Sequence, residues 1–164
     1  MPSGCCVMYH RSFFEEFEFE GEYLDADFFC YGEDVDLGLR GRLLGYKTQM
    51  VEKTHIYHKG SATAGKKSDF SVFHGHRNNV LYAVKSIPLS VWLIFGWAFL
   101  IGQFASLIFY LFNGRIVVFL KAKLSALRLL SRIFAKRSFI MQNRKVGFRE
   151  FVRNFDWRLF VFGG

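Results

Sequence analysis

The chain has 164 residues, 51% of them hydrophobic, and a formal net charge of +8 at pH 7. This apolar fraction excludes an intrinsically disordered protein, because such chains cannot bury enough surface to offset the entropy lost on ordering. The three cysteines have no Cys-x-x-Cys spacing, which argues against a disulfide scaffold or a zinc ribbon.

Charge divides the sequence into three segments. Residues 1–85 hold 10 basic and 12 acidic residues, residues 86–114 hold no charged residue, and residues 115–164 hold 12 basic and 2 acidic residues. The net positive charge therefore belongs to the last third of the chain. We predict a globular segment at 1–85, an apolar membrane-associated or transmembrane helix or hairpin at 86–114, and a basic amphipathic helical tail at 115–164.

Strands and short helices are expected to alternate in the first segment. The apolar run Gly4–Tyr9 lacks a helical period and predicts a buried strand, and Lys47–Val51 predicts another. Between them, Ser12–Phe17 predicts a short helical turn.

A longer helix is expected to begin at Glu33 and Asp34 and to end at Gly45. Three apolar residues repeat every four positions and predict its buried face, namely Val35, Leu39 and Leu43. Asp36 and Arg40 are spaced to pair on the exposed side.

The uncharged stretch Ser86–Gly114 is long enough to cross a membrane, which takes about 20 apolar residues. Pro88 suits a helix start, and Asn113-Gly114 suits a helix end. A single crossing would place the basic tail on the side opposite residues 1–85, so an in-plane, re-entrant or hairpin insertion is favoured. A buried core helix is the alternative.

The tail that follows predicts contact with a membrane surface. Helical spacing over Arg115–Arg137 aligns four basic residues, Lys121, Arg128, Arg132 and Lys136. Apolar residues fall elsewhere on the same helix, namely Leu120, Leu124, Leu127, Leu130 and Phe134. This pattern is typical of a helix lying on anionic lipid, and the alternative is an ordinary solvated face. No nucleic-acid-binding motif accompanies the charge, so nucleic acid is not an expected partner.

The acidic pair Glu33-Asp34 is the first candidate for chemistry. The partial positive charge of a helix N-terminus stabilises an ionised carboxylate, and a carboxylate facing a cleft can accept a proton from an attacking hydroxyl. His55 and His58 follow in a loop, and histidine is a common metal ligand. Helix capping by the acidic pair and a plain surface position for the histidines are the alternatives.

The segment 4–85 resembles the C-terminal half of the catalytic domain of family-2 inverting glycosyltransferases, particularly rhamnosyltransferase-like members. The strings that carry the resemblance occur in order as GCCVMYHRSFF, GEYLDADFFCYGEDVDLGLR, GYKT, IYHKGSATAG and HGHRNNVLYAVKSIP. The tail, including NGRIVVFLKAKLSALRLL, is similar to the membrane-associated tail of such enzymes. The resemblance implies an α/β fold, a partial glycosyltransferase-A (Rossmann-like) domain followed by long apolar and basic helices.

The resemblance also implies roles for individual residues. Asp34 would be the general base on the acceptor hydroxyl, with Glu33 beside it as a second catalytic residue. Arg77 and Asn78 would bind substrate. His58 would complete the site of a divalent metal, Mg or Mn, that holds the diphosphate of the nucleotide-sugar donor.

The family's nucleotide-binding half, which ends in an Asp-x-Asp metal motif, has no counterpart in the sequence. Asp25-Ala26-Asp27 spells that motif but lies too close to Glu33 to serve as the metal site. The expected function is therefore that of a glycosyltransferase fragment at the cytoplasmic face of the cell membrane. It would move a sugar, rhamnose by the resemblance, to a lipid-linked or polysaccharide acceptor, with a second chain supplying the missing half. A non-catalytic membrane-binding remnant is the alternative.

Overall fold

The computed structural model describes residues 4–16, 18–19, 21–51, 53, 55–58 and 68–153. Its α-helices are α1 (Arg11–Glu15), α2 (Glu33–Leu43), α3 (Asp69–Ser86), α4 (Leu89–Phe112), α5 (Ile116–Arg128), α6 (Leu130–Gln142) and α7 (Phe148–Arg153). A short 3-10 turn at Ala26–Phe28 precedes α2.

The predicted α/β class is wrong, because the described part of the chain is helical and contains no strand. Gly4–Tyr9 and Lys47–Val51 are irregular, and a single isolated bridge joins Phe19 to Glu22. An apolar run becomes a strand only when a neighbouring strand accepts and donates its backbone hydrogen bonds. Neither run has such a neighbour among the described residues.

Helix α2 begins at Glu33, as predicted, and ends at Leu43 just before Gly45, whose φ of 84° is left-handed. Leu39 and Leu43 are buried, and Val35 packs beside them. Asp36 and Arg40 do pair, with Nε 3.0 Å from Oδ2, but both side chains are buried. The prediction that this pair lies on the exposed side of α2 was wrong.

Helix α3 lies at the centre of the molecule. It packs against α5 and α6 through Leu81, Ala126 and Ile133, which enclose Phe28 of the 3-10 turn. Its contacts with α4 pair Ala83 with Trp92, Asn79 with Gln103, and His76 with Tyr110. These pairs run in opposite directions along the two helices, so α4 returns antiparallel to α3.

Helix α4 begins directly after Pro88 and ends at Phe112, as the sequence predicts. It is long and apolar enough to cross a membrane, and only 6% of its most apolar window is buried. Val91 and Gly96 are its buried residues. The described part of the chain encloses little of α4, which argues against the alternative of a buried core helix.

The basic tail does not form one continuous helix over Arg115–Arg137, because the chain turns at Leu129 between α5 and α6. The predicted basic stripe is divided accordingly. Lys121 and Arg128 are exposed, whereas Lys136 is buried and Arg132 pairs with Asp27. Several apolar side chains are at least half exposed, namely Leu120, Leu124, Leu127 and Phe134.

Candidate functional site

The acidic pair occupies the first turn of α2, after Gly32 in the left-handed conformation. Asp34 Oδ2 accepts a hydrogen bond from the backbone N–H of Gly4 at 3.0 Å, and Oδ1 accepts one from Val35 N at 2.8 Å. The carboxylate is half-buried, so these bonds fix its orientation without removing it from solvent. The arrangement fits a proton acceptor, and it fits a helix-capping residue as well.

Two tyrosines adjoin this carboxylate. Burial, and then the negative charge of Asp34, raises the pKa of Tyr9. Burial also raises the pKa of Tyr82, to which the Asp34 charge adds. The Tyr9 hydroxyl and Glu33 Oε2 are both buried and have no hydrogen-bond partner among the described residues. Sequence reasoning did not identify the tyrosines, because nothing in their local spacing connects them with Asp34.

The loop before the acidic pair has a strained backbone, and hydrogen bonds from α3 stabilise its conformation. Phe29 and Tyr31 have φ values of 58° and 67°, which bulky side chains rarely adopt. The Asn78 amide donates to the carbonyls of Phe28, Cys30 and Tyr31 at 2.8, 2.8 and 2.6 Å.

Arg77 holds the same loop. Its guanidinium donates to the carbonyls of Asp27 and Phe28, each at 2.8 Å. The predicted substrate-binding residues Arg77 and Asn78 thus contact the backbone next to the acidic pair. Whether they also contact a substrate stays a prediction.

The described residues do not fit a divalent metal. His58 is exposed, and no group of three or more His, Cys, Asp or Glu side chains within the described ranges could hold a metal ion. The GSATAG stretch after His58 lies outside the described residues. The predicted role of His58 as a metal ligand therefore stays a prediction, and no chemical step is derived through a metal.

Asp25 and Asp27 form part of a buried ion cluster rather than an open motif. Lys85 Nζ lies 2.6 Å from Asp25 Oδ2 and 2.7 Å from Asp36 Oδ2. Lys136 Nζ lies 2.6 Å from Asp25 Oδ1 and 2.9 Å from Asp27 Oδ2. Burial opposes ionisation of Asp25, yet the charge of Lys85 and the hydrogen bonds from both lysines lower its pKa to about 2.

A small cleft of about 20 Å³ lies beside this cluster. It is lined by Phe19, Glu22, Asp25, Arg40, Lys136, Phe139 and Ile140. Its charged groups already pair with one another, which leaves little unsatisfied charge for a ligand. We therefore assign the cluster a structural role in joining α2, α3 and α6.

A second polar group joins α3 to α4 and α5. Gln103 donates to Asn79 Oδ1 at 2.8 Å, and His76 Nε2 lies 3.2 Å from the Tyr110 hydroxyl. Lys123 donates to the His76 carbonyl at 3.0 Å and to the side-chain oxygen of Gln103. Burial, and then the Lys123 charge, lowers the pKa of His76 to about 4, and burial lowers the pKa of Lys123 to about 8.

Comparisons with known proteins give no match, since no family model, curated protein or solved structure is similar enough to this chain.

Proposed function

We propose that this chain is the acceptor-side and membrane-associated part of an inverting glycosyltransferase. It would act at the cytoplasmic face of the cell membrane together with a nucleotide-binding part, which binds the nucleotide-diphosphate sugar. The acceptor would be a lipid-linked or polysaccharide glycan. The sequence strings around GEDVDLGLR and HGHRNN support the reaction class, and the basic tail supports the cytoplasmic side.

The proposal rests on one structural observation, which is that α3 contacts both the loop before Glu33-Asp34 and the apolar helix α4. Arg77 and Asn78 bind the loop before Glu33-Asp34, while His76 and Asn79 on the same helix bind α4. The carboxylates are thereby fixed relative to an exposed apolar helix. Such an arrangement suits an enzyme whose acceptor is anchored in lipid.

Asp34 would act as the general base. Its carboxylate would take the proton of the acceptor hydroxyl as that oxygen forms a bond to the anomeric carbon of the donor sugar. The bond between this carbon and the diphosphate oxygen would break, and the nucleoside diphosphate would leave with the bonding electrons. A positioned base contributes about 10²–10⁴-fold to such a reaction.

The test is sugar transfer by membranes from cells that express the full chain together with the nucleotide-binding part, supplied with a labelled nucleotide-diphosphate sugar. We expect Asp34→Asn to lower the transfer rate about 100-fold or more, because an amide cannot accept the proton. Asp69→Asn is the matched control, since Asp69 is exposed on α3. Equal rates for Asp34→Asn and the unchanged chain would refute the role of Asp34.

A non-catalytic membrane-binding module is the second candidate. It is favoured by the two hydrogen bonds that the Asp34 carboxylate accepts from the backbone N–H groups of Gly4 and Val35, because such bonds also suit a purely structural carboxylate. In that case the membranes would show no chain-dependent transfer. Asp34→Asn would then change the stability of the fold while leaving vesicle binding the same.

A further inference from the structure

We propose that α4 and α5 insert into a single leaflet of an anionic bilayer, with α4 lying in the membrane plane rather than crossing. This inference rests on the membrane association in the proposed function, and it specifies the mode of that association. The occupant of the exposed apolar face is therefore lipid, and the catalytic residues remain on one side of the membrane.

Helix α4 has one protein-facing side and one apolar exposed side. Its polar side chains turn inward, since Gln103 and Tyr110 bond to α3 and the Trp92 indole donates to the Ala83 carbonyl at 3.1 Å. Exposed apolar side chains repeat along α4 at helical spacing, and those more than half exposed include Leu93, Trp97, Leu100, Phe104 and Leu111. Exposed apolar side chains along the length of α4 would contact lipid tails whether the helix lies in the membrane plane or crosses it, so the orientation has to be decided by the neighbouring groups.

Helix α5 extends the same kind of surface. Phe119, Ala122 and Ala126 are buried, whereas four other apolar side chains of α5 are half exposed or more, namely Val117, Leu120, Leu124 and Leu127. A helix of a soluble protein normally buries such residues instead. Two neighbouring helices that both expose leucines form a larger apolar surface than monomeric soluble proteins usually show.

The position of the charges opposes a crossing. Lys123 bonds to Gln103, which lies near the middle of α4, and Lys121 is exposed two residues away. If α4 crossed the bilayer, Lys121 would lie near the midplane, where a charge costs about 2.5–3.5 kcal/mol even on the mildest scale. In the in-plane orientation the same lysine can reach the headgroups.

The protein side of α4 opposes a crossing as well. Contacts with α3 extend from Trp92 to Tyr110, and α3 also carries Arg77 and Lys85 with their bound loop and carboxylates. A bilayer around α4 would have to contain these groups along its whole thickness. The net positive charge of residues 115–164 further favours an anionic surface.

The test measures depth with single cysteines in the full chain, after its own three cysteines are replaced by serine. A fluorophore is attached to the cysteine of Leu93→Cys, Leu100→Cys or Leu111→Cys. Each labelled protein is then bound to phosphatidylcholine vesicles that contain phosphatidylglycerol and lipid-attached quenchers. All three residues are exposed, so labelling leaves the packing intact. Ser106→Cys, on the inward side, is the matched control.

In-plane insertion predicts the same quenching depth at the three outward sites and weaker quenching at position 106. A crossing predicts that position 100 lies deeper than position 93 by about 10 Å, from the rise of 1.5 Å per residue, and this result would overturn the inference. It would leave the proposed glycosyltransferase intact. Absence of quenching at every site would show that lipid does not cover this face, and it would overturn the membrane association too. The Asp34→Asn assay tests catalysis separately.

Discussion

At the scale of single residues, the buried ion cluster around Lys85 joins α2, α3 and α6. Lys85 is 1% exposed and pairs with the carboxylates of Asp25 and Asp36. Its ammonium also lies 4.6 Å from the centre of the Phe28 ring. Removing one member of a buried ion pair is costly because the opposite charge stays buried and uncompensated.

We therefore expect Lys85→Met to lower the free energy of unfolding by about 3–5 kcal/mol. Denaturant titration in detergent, followed by circular dichroism, measures this loss. Lys121→Met makes the same change at an exposed position and should alter stability by about 0.5 kcal/mol or less. Similar losses for the two variants would contradict the assigned role of the cluster.

His76 makes the stability of the fold depend on pH. Its pKa falls from an ordinary 6.5 to about 4 in the folded protein, because burial and the neighbouring Lys123 charge disfavour the imidazolium. The unfolded chain thus binds more protons between these two values. The stabilisation is complete above pH 6.5 and is lost as the pH falls toward 4.

We expect the unfolding midpoint to fall between pH 6.5 and 4.5 by more in the unchanged chain than in His76→Gln. Thermal melts at closely spaced pH values provide the comparison. His58→Gln, at an exposed position, should retain the full pH dependence. If it were lost in His58→Gln and kept in His76→Gln, the assignment to His76 would be wrong.

The sequence predicts the local features of these sites and not the distant ones. Glu33 and Asp34 at a helix start were predictable because capping involves residues a few positions apart. Lys85 and Lys136 were not, since they lie 60 and 111 positions from Asp25. Only the packing of three helices brings such charges together.

At the scale of elements, the loop from Phe28 to Tyr31 depends on α3 for its conformation. One amide of Asn78 satisfies three of its carbonyls, and the left-handed Phe29 and Tyr31 cost about 1–3 kcal/mol each. Such strain persists only where neighbouring contacts hold it.

Asn78→Ala should therefore release the loop before Glu33 and lower stability by about 1–3 kcal/mol. Hydrogen exchange of peptides covering residues 26–34 should become faster, while peptides from α6 keep their protection. Asn143→Ala is the matched control, because the Asn143 amide makes one exposed bond, to the Phe139 carbonyl at 2.9 Å. Unchanged hydrogen exchange at residues 26–34 would show that the loop keeps its conformation without Asn78.

The sequence predicted the ends of helices well and predicted strands poorly. Pro88 and Asn113-Gly114 delimit α4 through their own backbone preferences. Gly4–Tyr9 has the composition of a strand but no pairing neighbour in the described structure, and pairing is not a local property. For α5, the spacing pattern shows that two faces exist but not which of them meets α3.

At the scale of the whole molecule, an acidic site, a central helix and an apolar surface form one helical assembly. Helix α3 contacts the loop before Glu33-Asp34, α4, α5 and α6, and it therefore connects the acidic site with the apolar surface. Basic residues on α5 stand beside the leucines of the same helix. Association should therefore combine apolar burial with electrostatic attraction.

We expect replacement of Lys121 and Arg128 by glutamine to weaken binding to phosphatidylglycerol-containing vesicles by roughly tenfold or more, since each basic residue near an anionic surface contributes about 1 kcal/mol. Both side chains are exposed, so the fold should be unaffected. Flotation at increasing salt measures the effect, and salt should weaken the unchanged chain more than the variant because it screens the lost charges. Glu15→Gln and Asp69→Asn together form a control in which two exposed charges of the opposite sign are removed. Binding that is equally insensitive to salt and to the basic substitutions would show that apolar burial alone retains the protein at the membrane.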